Sequence, residues 1–149
     1  MSVAILLVTH EDLGARLAEI AAAICCQDTS PVACIAIPAS VEPQQLGAYA
    51  DRIRDAISGS NDGSGVLVLT DVYGATPDNL ARHFSAQCQA RVISGLNLPM
   101  LLRVLHYPRQ TLEQLCDTAV DGARSGIRLN GGQHEEPGRI ADTGHIGDV

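Results

Sequence analysis

Four short, unbroken apolar runs recur along the chain with amphipathic stretches between them, and this alternation constrains the fold more than any other feature. The runs are Val3–Val8, Val32–Ile37, Val66–Leu69 and the Val92-Ile93 pair. Each is too short for a buried helix, and none alternates apolar with polar as a half-exposed strand does. They read as strands covered on both faces. After the first run, Leu13, Leu17, Ile20 and Ile24 recur at helical spacing, starting from Asp12. After the second, closed by Pro38, Pro43 sits near a first turn and Leu46, Ala50, Ile53 and Ile57 form one stripe. Ser58–Gly65 is a polar break before the third run, and Thr76-Pro77 after it reads as a cap and first-turn proline, with Leu80 and Phe84 inward. Strand–helix–strand units of this kind cross over right-handedly into a parallel sheet. The expected fold class is α/β: a doubly wound, mainly parallel four-stranded sheet with helices on both faces.

Beyond Gly95 the rhythm changes. Leu98–Leu105 is apolar nearly all round and predicts a buried helix, against this chain or another subunit. Thr111 with Gln114 is a capping-box pattern opening a last helix with Leu112, Leu115, Ala119, Ala123 and Ile127. Gly122 and Gly126 weaken that helix but allow close backbone approach. Residues 131–149 hold five of the 14 glycines and no periodicity, with Glu135, Glu136, Asp142 and Asp148 against Arg139. The expected organisation is therefore one domain over 1–130 and an acidic, flexible tail over 131–149.

Composition narrows the function. All ten basic residues are Arg, and the formal net charge is −7. Without a basic tract the chain is a poor candidate for gripping nucleic acid or an anionic membrane. Without Lys it has neither a P-loop nor a Schiff-base nucleophile. No apolar run approaches the roughly 20 residues that span a bilayer, so no membrane insertion is expected. No basic residue precedes the first apolar run, which does not read as a targeting peptide. The cysteines (Cys25, Cys26, Cys34, Cys88, Cys116) are odd in number and hold no C-x-x-C pair. They read as core thiols in a reducing compartment, and the expected location is cytoplasmic.

On a doubly wound sheet, ligands bind beyond the carboxyl ends of the strands. His10 lies there after the first run and Asp71 after the third. If the two strands are neighbours, the side chains converge. An Asp accepting from one imidazole nitrogen fixes the tautomer and frees the other as a nucleophile, base or metal ligand. Gly74 permits close approach, and the helix start at Thr76 offers amides and positive dipole to an anion. A capped helix start by itself explains Thr76-Pro77 equally well. The loops Pro38–Ser40 and Ser94–Asn97 share this edge. His83 and His106 lack ligand-spaced partners and read as surface or interface residues, and His134 and His145 fall in the tail. Gly59, Gly63 and Gly65 precede a strand, the wrong side for a dinucleotide loop, and no G-x-S-x-G elbow is present.

Taken together, Ala4–His10, Gly65–Pro77, Val92–Met100 and the closing helix to Ile127 resemble, in order and spacing, the IIA component of the mannose family of the phosphoenolpyruvate-dependent sugar phosphotransferase system. The resemblance covers about residues 1–130. It implies a phosphohistidine carrier that accepts a phosphoryl group from the phosphocarrier HPr and passes it to a IIB partner. His10 matches the phosphorylated histidine, Asp71 the carboxylate on its other nitrogen, and Thr76 with Gly74 and Ala75 the phosphoryl surroundings. No cofactor and no metal are implied. The family also implies a homodimer exchanging a short terminal strand, which would be antiparallel at a sheet edge and drawn from Ile127–Leu129. Glu11-Asp12 depart from the family pattern, in which many members carry Gly or a neutral residue after the histidine, and place negative charge beside an incoming phosphoryl group. The alternative is a stand-alone regulatory module whose His10 phosphorylation state controls a partner without sugar transport; a remoter one is a phosphodonor domain of the dihydroxyacetone-kinase type.

Overall fold

The computed structural model describes residues 1–25 and 31–130. Cys26, the 131–149 segment and its histidines lie outside the described residues. In chain order the elements are β1 (Ala4–His10), α1 (Leu13–Cys25), β2 (Val32–Ile37), a 3-10 turn (Pro43–Gln45) running into α2 (Leu46–Ser60), β3 (Val66–Thr70), α3 (Thr76–Ser85), β4 (Ala90–Ser94), α4 (Leu98–Leu105) and α5 (Leu112–Ser125). All strand pairings are parallel, in the order β2-β1-β3-β4, with Ile5 level with Val32 and Leu67, and Val68 with Val92. Winding proceeds outward in both directions from β1, so the topological switch lies between β1 and β3.

Alternate residues of each central strand feed two separate cores. Ile5, Leu7, Leu67 and Leu69 face α1, α4 and α5, where they meet Ala21, Met100, Leu101, Leu115 and Ala119. Leu6, Val8, Val66 and Val68 face α2 and α3, against Ile53, Ile57 and Ala81. The central strands thus bury both faces, which is why they read as unbroken apolar runs. Each of Leu6, Leu7, Leu67 and Leu69 is fully buried, a contribution of about 1.5–3 kcal/mol apiece.

The α1 stripe differs from expectation. Leu13 and Ile20 are exposed, while Gly14 and Ala21 are buried, with Leu17 and Ile24 packed beside them. The cause is close approach: a Cβ on Gly14 would stand 3.1 Å from both Leu7 Cβ and Thr9 Oγ1. The helix therefore seats its small residues on the sheet and turns Leu13 and Ile20 outward. Of the four described cysteines, Cys25, Cys88 and Cys116 are half-buried against the two cores, whereas Cys34 is exposed on edge strand β2 and departs from the expectation of core thiols.

The close approach that Gly122 and Gly126 allow is made to α4, forming a seam between α4 and α5. A Cβ at Gly122 would lie 2.6 Å from Arg103 Cβ, and one at Gly126 would overlap the Pro99 ring. Asn97 caps α4 by accepting from the Met100 amide at 2.8 Å, and Thr111 with Gln114 makes the reciprocal capping box on α5. The helix ends at Ser125, so Ile127 lies past it; Ile127–Leu129 are exposed and form no strand with the described residues. No described helix is long and apolar enough to cross a membrane.

Candidate functional site

β1 and β3 are hydrogen-bonded neighbours, and Val8 is level with Thr70. His10 and Asp71 therefore leave adjacent strand ends on the carboxyl edge of the sheet, and the switch in winding opens the crevice between them, because α1 departs to one face and α3 to the other. The two residues meet. His10 Nδ1 lies 2.8 Å from Asp71 Oδ2, and the His10 main-chain N–H donates to the same oxygen at 2.9 Å. The other carboxylate oxygen, Oδ1, accepts from the Val72 amide at 3.0 Å. With the carboxylate an acceptor, Nδ1 is the protonated nitrogen, and Nε2 keeps its lone pair. The imidazole is 31% exposed and the Asp71 side chain 8%. Partial burial pushes the Asp71 carboxyl up, but the His10 amide and ring outweigh it and hold it below its ordinary value.

The residue after His10 is strained. Glu11 has φ +48°, a region that side chains other than glycine rarely enter. Its amide donates to Ile37 O at 2.8 Å, and its carboxylate accepts from the Ala39 amide at 2.9 Å. These two bonds tie the His10 turn to the loop after β2. Asp12 pairs with Arg16 at 3.2 Å. The negative charge anticipated beside His10 is therefore partly engaged by an amide and a guanidinium. In the first turn of α1, the Gly14 amide donates to the buried Thr9 hydroxyl at 2.8 Å.

The β3–α3 loop corrects one expectation. Ala75, not Thr76, is the N-cap, and no side chain caps the helix; Thr76 is the first helical residue and Pro77 the second. A proline is tolerated anywhere in the opening turn, so the Thr-Pro pair does not mark the boundary by itself. The Gly74 amide donates to Asp78 Oδ2 at 2.9 Å, and the Ala75 amide to Val72 O at 3.3 Å. Both are thus spent inside the loop. Thr76 is different: neither its amide nor its hydroxyl has an intramolecular partner among the described residues. This free pair sits at the positive end of α3.

Sequence reasoning missed Asp78. It is 1% exposed and accepts from Thr70 Oγ1 at 3.0 Å, Gly74 N and Arg82 Nε at 2.9 Å. An acidic residue in a first turn four positions after a glycine was the available signal. The Ser94–Asn97 loop is structural: Thr70 O accepts from the Leu96 amide at 3.0 Å while Asn97 caps α4. His83 is exposed and set edge-on to Phe84, and His106 caps the end of α4. No group of three His, Cys, Asp or Glu side chains placed to hold a metal ion occurs among the described residues.

Comparison with known proteins bears on this geometry. The sequence model of the family described as the fructose IIA component of the phosphotransferase system (PTS) matches residues 4–120. No curated protein matches the chain at a significant level. Among solved structures, the mannose/sorbose-specific IIA subunit of Enterococcus faecalis superposes with a TM-score of 0.71 at 22% identity, covering 87% of this chain and 95% of that one. A PTS component EIIA of Streptococcus agalactiae gives 0.69 at 24% identity, over 85% and 96%. A sigma-54 interaction domain protein of Enterococcus faecalis gives 0.68 at 14%, over 84% and 93%. The structural likenesses establish the fold and the family model most of the chain: this protein belongs to the IIA component family of the sugar phosphotransferase system.

Proposed function

We propose that the protein is a phosphohistidine carrier in which His10 Nε2 accepts a phosphoryl group from phospho-HPr and passes it to a IIB component. The observation that carries this reading is the His10–Asp71 pair, with Nδ1 held at 2.8 Å and an imidazole open to solvent. The Nε2 lone pair attacks phosphorus; the N–P bond to the donor imidazole breaks, and the donor recovers that electron pair. The Nδ1 proton stays between ring and carboxylate, so the positive charge that develops on the phosphorylated ring faces Asp71. Transfer of this kind asks for positioning and charge stabilisation and little covalent machinery. The Thr76 amide and hydroxyl are the free donors for the phosphoryl oxygens, while Gly74 and Ala75 shape the loop around them. The step as written uses no metal and no cofactor.

Around the crevice, Leu13 at the start of α1 and Val72 and Tyr73 on the β3–α3 loop are exposed apolar side chains, a surface suited to a protein donor. The carrier would work in the cytoplasm, and residues 1–130 would constitute the working domain. Homodimer formation belongs to the same proposal: Ile127 and Leu129 are exposed, with no strand partner among the described residues.

Incubation with phosphoenolpyruvate, enzyme I and HPr should place an acid-labile phosphate on the wild type and none on His10→Ala. Absence of label from every competent HPr would remove the proposal. A second reading, a regulatory module that controls a partner through His10 phosphorylation, is motivated by the shared fold of the sigma-54 interaction domain protein. Rapid transfer from phospho-His10 to a cognate IIB would exclude it as the sole role.

A further inference from the structure

We infer that Asp78 is a positioning residue for phosphoryl transfer, acting as a buried clamp that sets the loop between Asp71 and Thr76. The inference rests on the reading of His10 as phosphoryl acceptor. Asp78 bonds both sides of that loop: Thr70, one residue before Asp71, and Gly74, two before Thr76. Gly74 is held at its carbonyl as well, because Asn79 Nδ2 donates to Gly74 O at 2.9 Å. Its φ of +79° is thus fixed by two consecutive side chains of α3.

Arg82 locks the clamp. Its Nε donates to Asp78 and its Nη2 to Asn79 Oδ1 at 2.7 Å, and the guanidinium carbon stands 5.0 Å from the centre of the Tyr73 ring. One cation therefore orients both clamping side chains and steadies an exposed loop residue. The Asp78 bond to Gly74 reaches one residue further back than a capping box, in which the third helical residue bonds the N-cap amide. Neither register draws on Thr76, so the bond that fixes the loop leaves the Thr76 amide and hydroxyl open as phosphoryl donors. Nothing in this network touches His10, and Asp78 acts only through the loop.

Phosphorylation of His10 can be followed with two donors, phospho-HPr and the small molecule phosphoramidate, in the wild type, Asp78→Asn and Ile57→Val. The amide oxygen can replace only one of the two carboxylate oxygens, and the amide nitrogen, a donor, cannot accept from Gly74 and Arg82 in place of the other. Ile57→Val, a core change behind α2, controls for lost stability. For Asp78→Asn we expect a maximal rate about tenfold lower with phospho-HPr, at unchanged half-saturating donor. Labelling by phosphoramidate should slow to match, and the Tyr73 to Thr76 amide resonances should shift. Wild-type rates in Asp78→Asn, or an equal slowing in Ile57→Val, would overturn the inference. Labelling by phosphoramidate alone would refute HPr as donor and leave the Asp78 comparison readable. If neither donor labels wild-type His10, the reading of the site fails, and the clamp is judged on the amides: unmoved resonances in Asp78→Asn overturn it too.

Discussion

The carboxyl edge of the sheet and the seam between α4 and α5 are both places of close approach, built from opposite materials. At the edge, the approach is polar and directional: Asp71 and Asp78 between them accept from six donor groups. At the seam it is steric, with Gly122 and Gly126 admitting Arg103 and Pro99. Hydrogen bonds specify where an atom stands, whereas an absent side chain only permits contact. Changes at the edge should therefore be felt in transfer, and changes at the seam in stability.

The largest effect expected on this division is at His10. His10→Ala should abolish acid-labile labelling and leave the melting temperature close to wild type, since the side chain is partly exposed. A melting temperature lowered as far as by a core substitution would break the contrast. Asp71→Asn keeps the shape but loses the charge that faces the phosphorylated ring, and should slow labelling roughly 10–100-fold. Unchanged kinetics would take Asp71 out of the mechanism. Gly126→Ala should cost about 1–3 kcal/mol by overpacking against Pro99, read from urea denaturation, with labelling of the folded protein unaltered. Slower labelling there would show that the seam reaches the site.

Acid should separate the two regions again. Because the folded Asp71 carboxyl ionises below its ordinary range, its contribution to stability is complete above about pH 4 and is lost as pH falls through the lower folded value. An acid-unfolding series should therefore lose part of its slope below that range in Asp71→Asn, and keep it in Gly126→Ala. The smallest effect is expected for Glu11→Gly. Relief of a left-handed residue, about 1 kcal/mol, is offset by loss of the bond to the Ala39 amide and by a freer unfolded chain. A net change within about 0.5 kcal/mol is expected, and a larger loss would show that the tie to the β2 loop outweighs the strain.

Much of this is legible in the sequence. The strands were legible because both faces of a central parallel strand are buried, and Val66–Leu69 has no polar side to confuse the period. The His10–Asp71 pair was legible because parallel neighbours end on a common edge. The failures share one cause, which is contact between residues whose proximity depends on a backbone turn. Leu13 and Ile20 look inward on a helical wheel, yet the approach of Gly14 to Leu7 turns them out. Thr76 looks like a cap, yet the bond from Asp78 back to Gly74 needs a positive φ that composition does not declare. Glu11 bears no local sign of its strain, because its partner Ala39 lies a whole helix and strand away.

The division of the interior into two cores gives the His10–Asp71 bond a second meaning. His10 opens a turn anchored by α1 to the core shared with α4 and α5, whereas Asp71 opens a loop anchored by α3 to the opposite core. The 2.8 Å side-chain bond, beside the 2.9 Å bond from the His10 main-chain N–H to the same oxygen, therefore joins loops anchored in the two layers. Any sliding of one helical layer over the sheet relative to the other would lengthen that bond and release the imidazole from its tautomer. The pair is in this sense a gauge of interlayer registry.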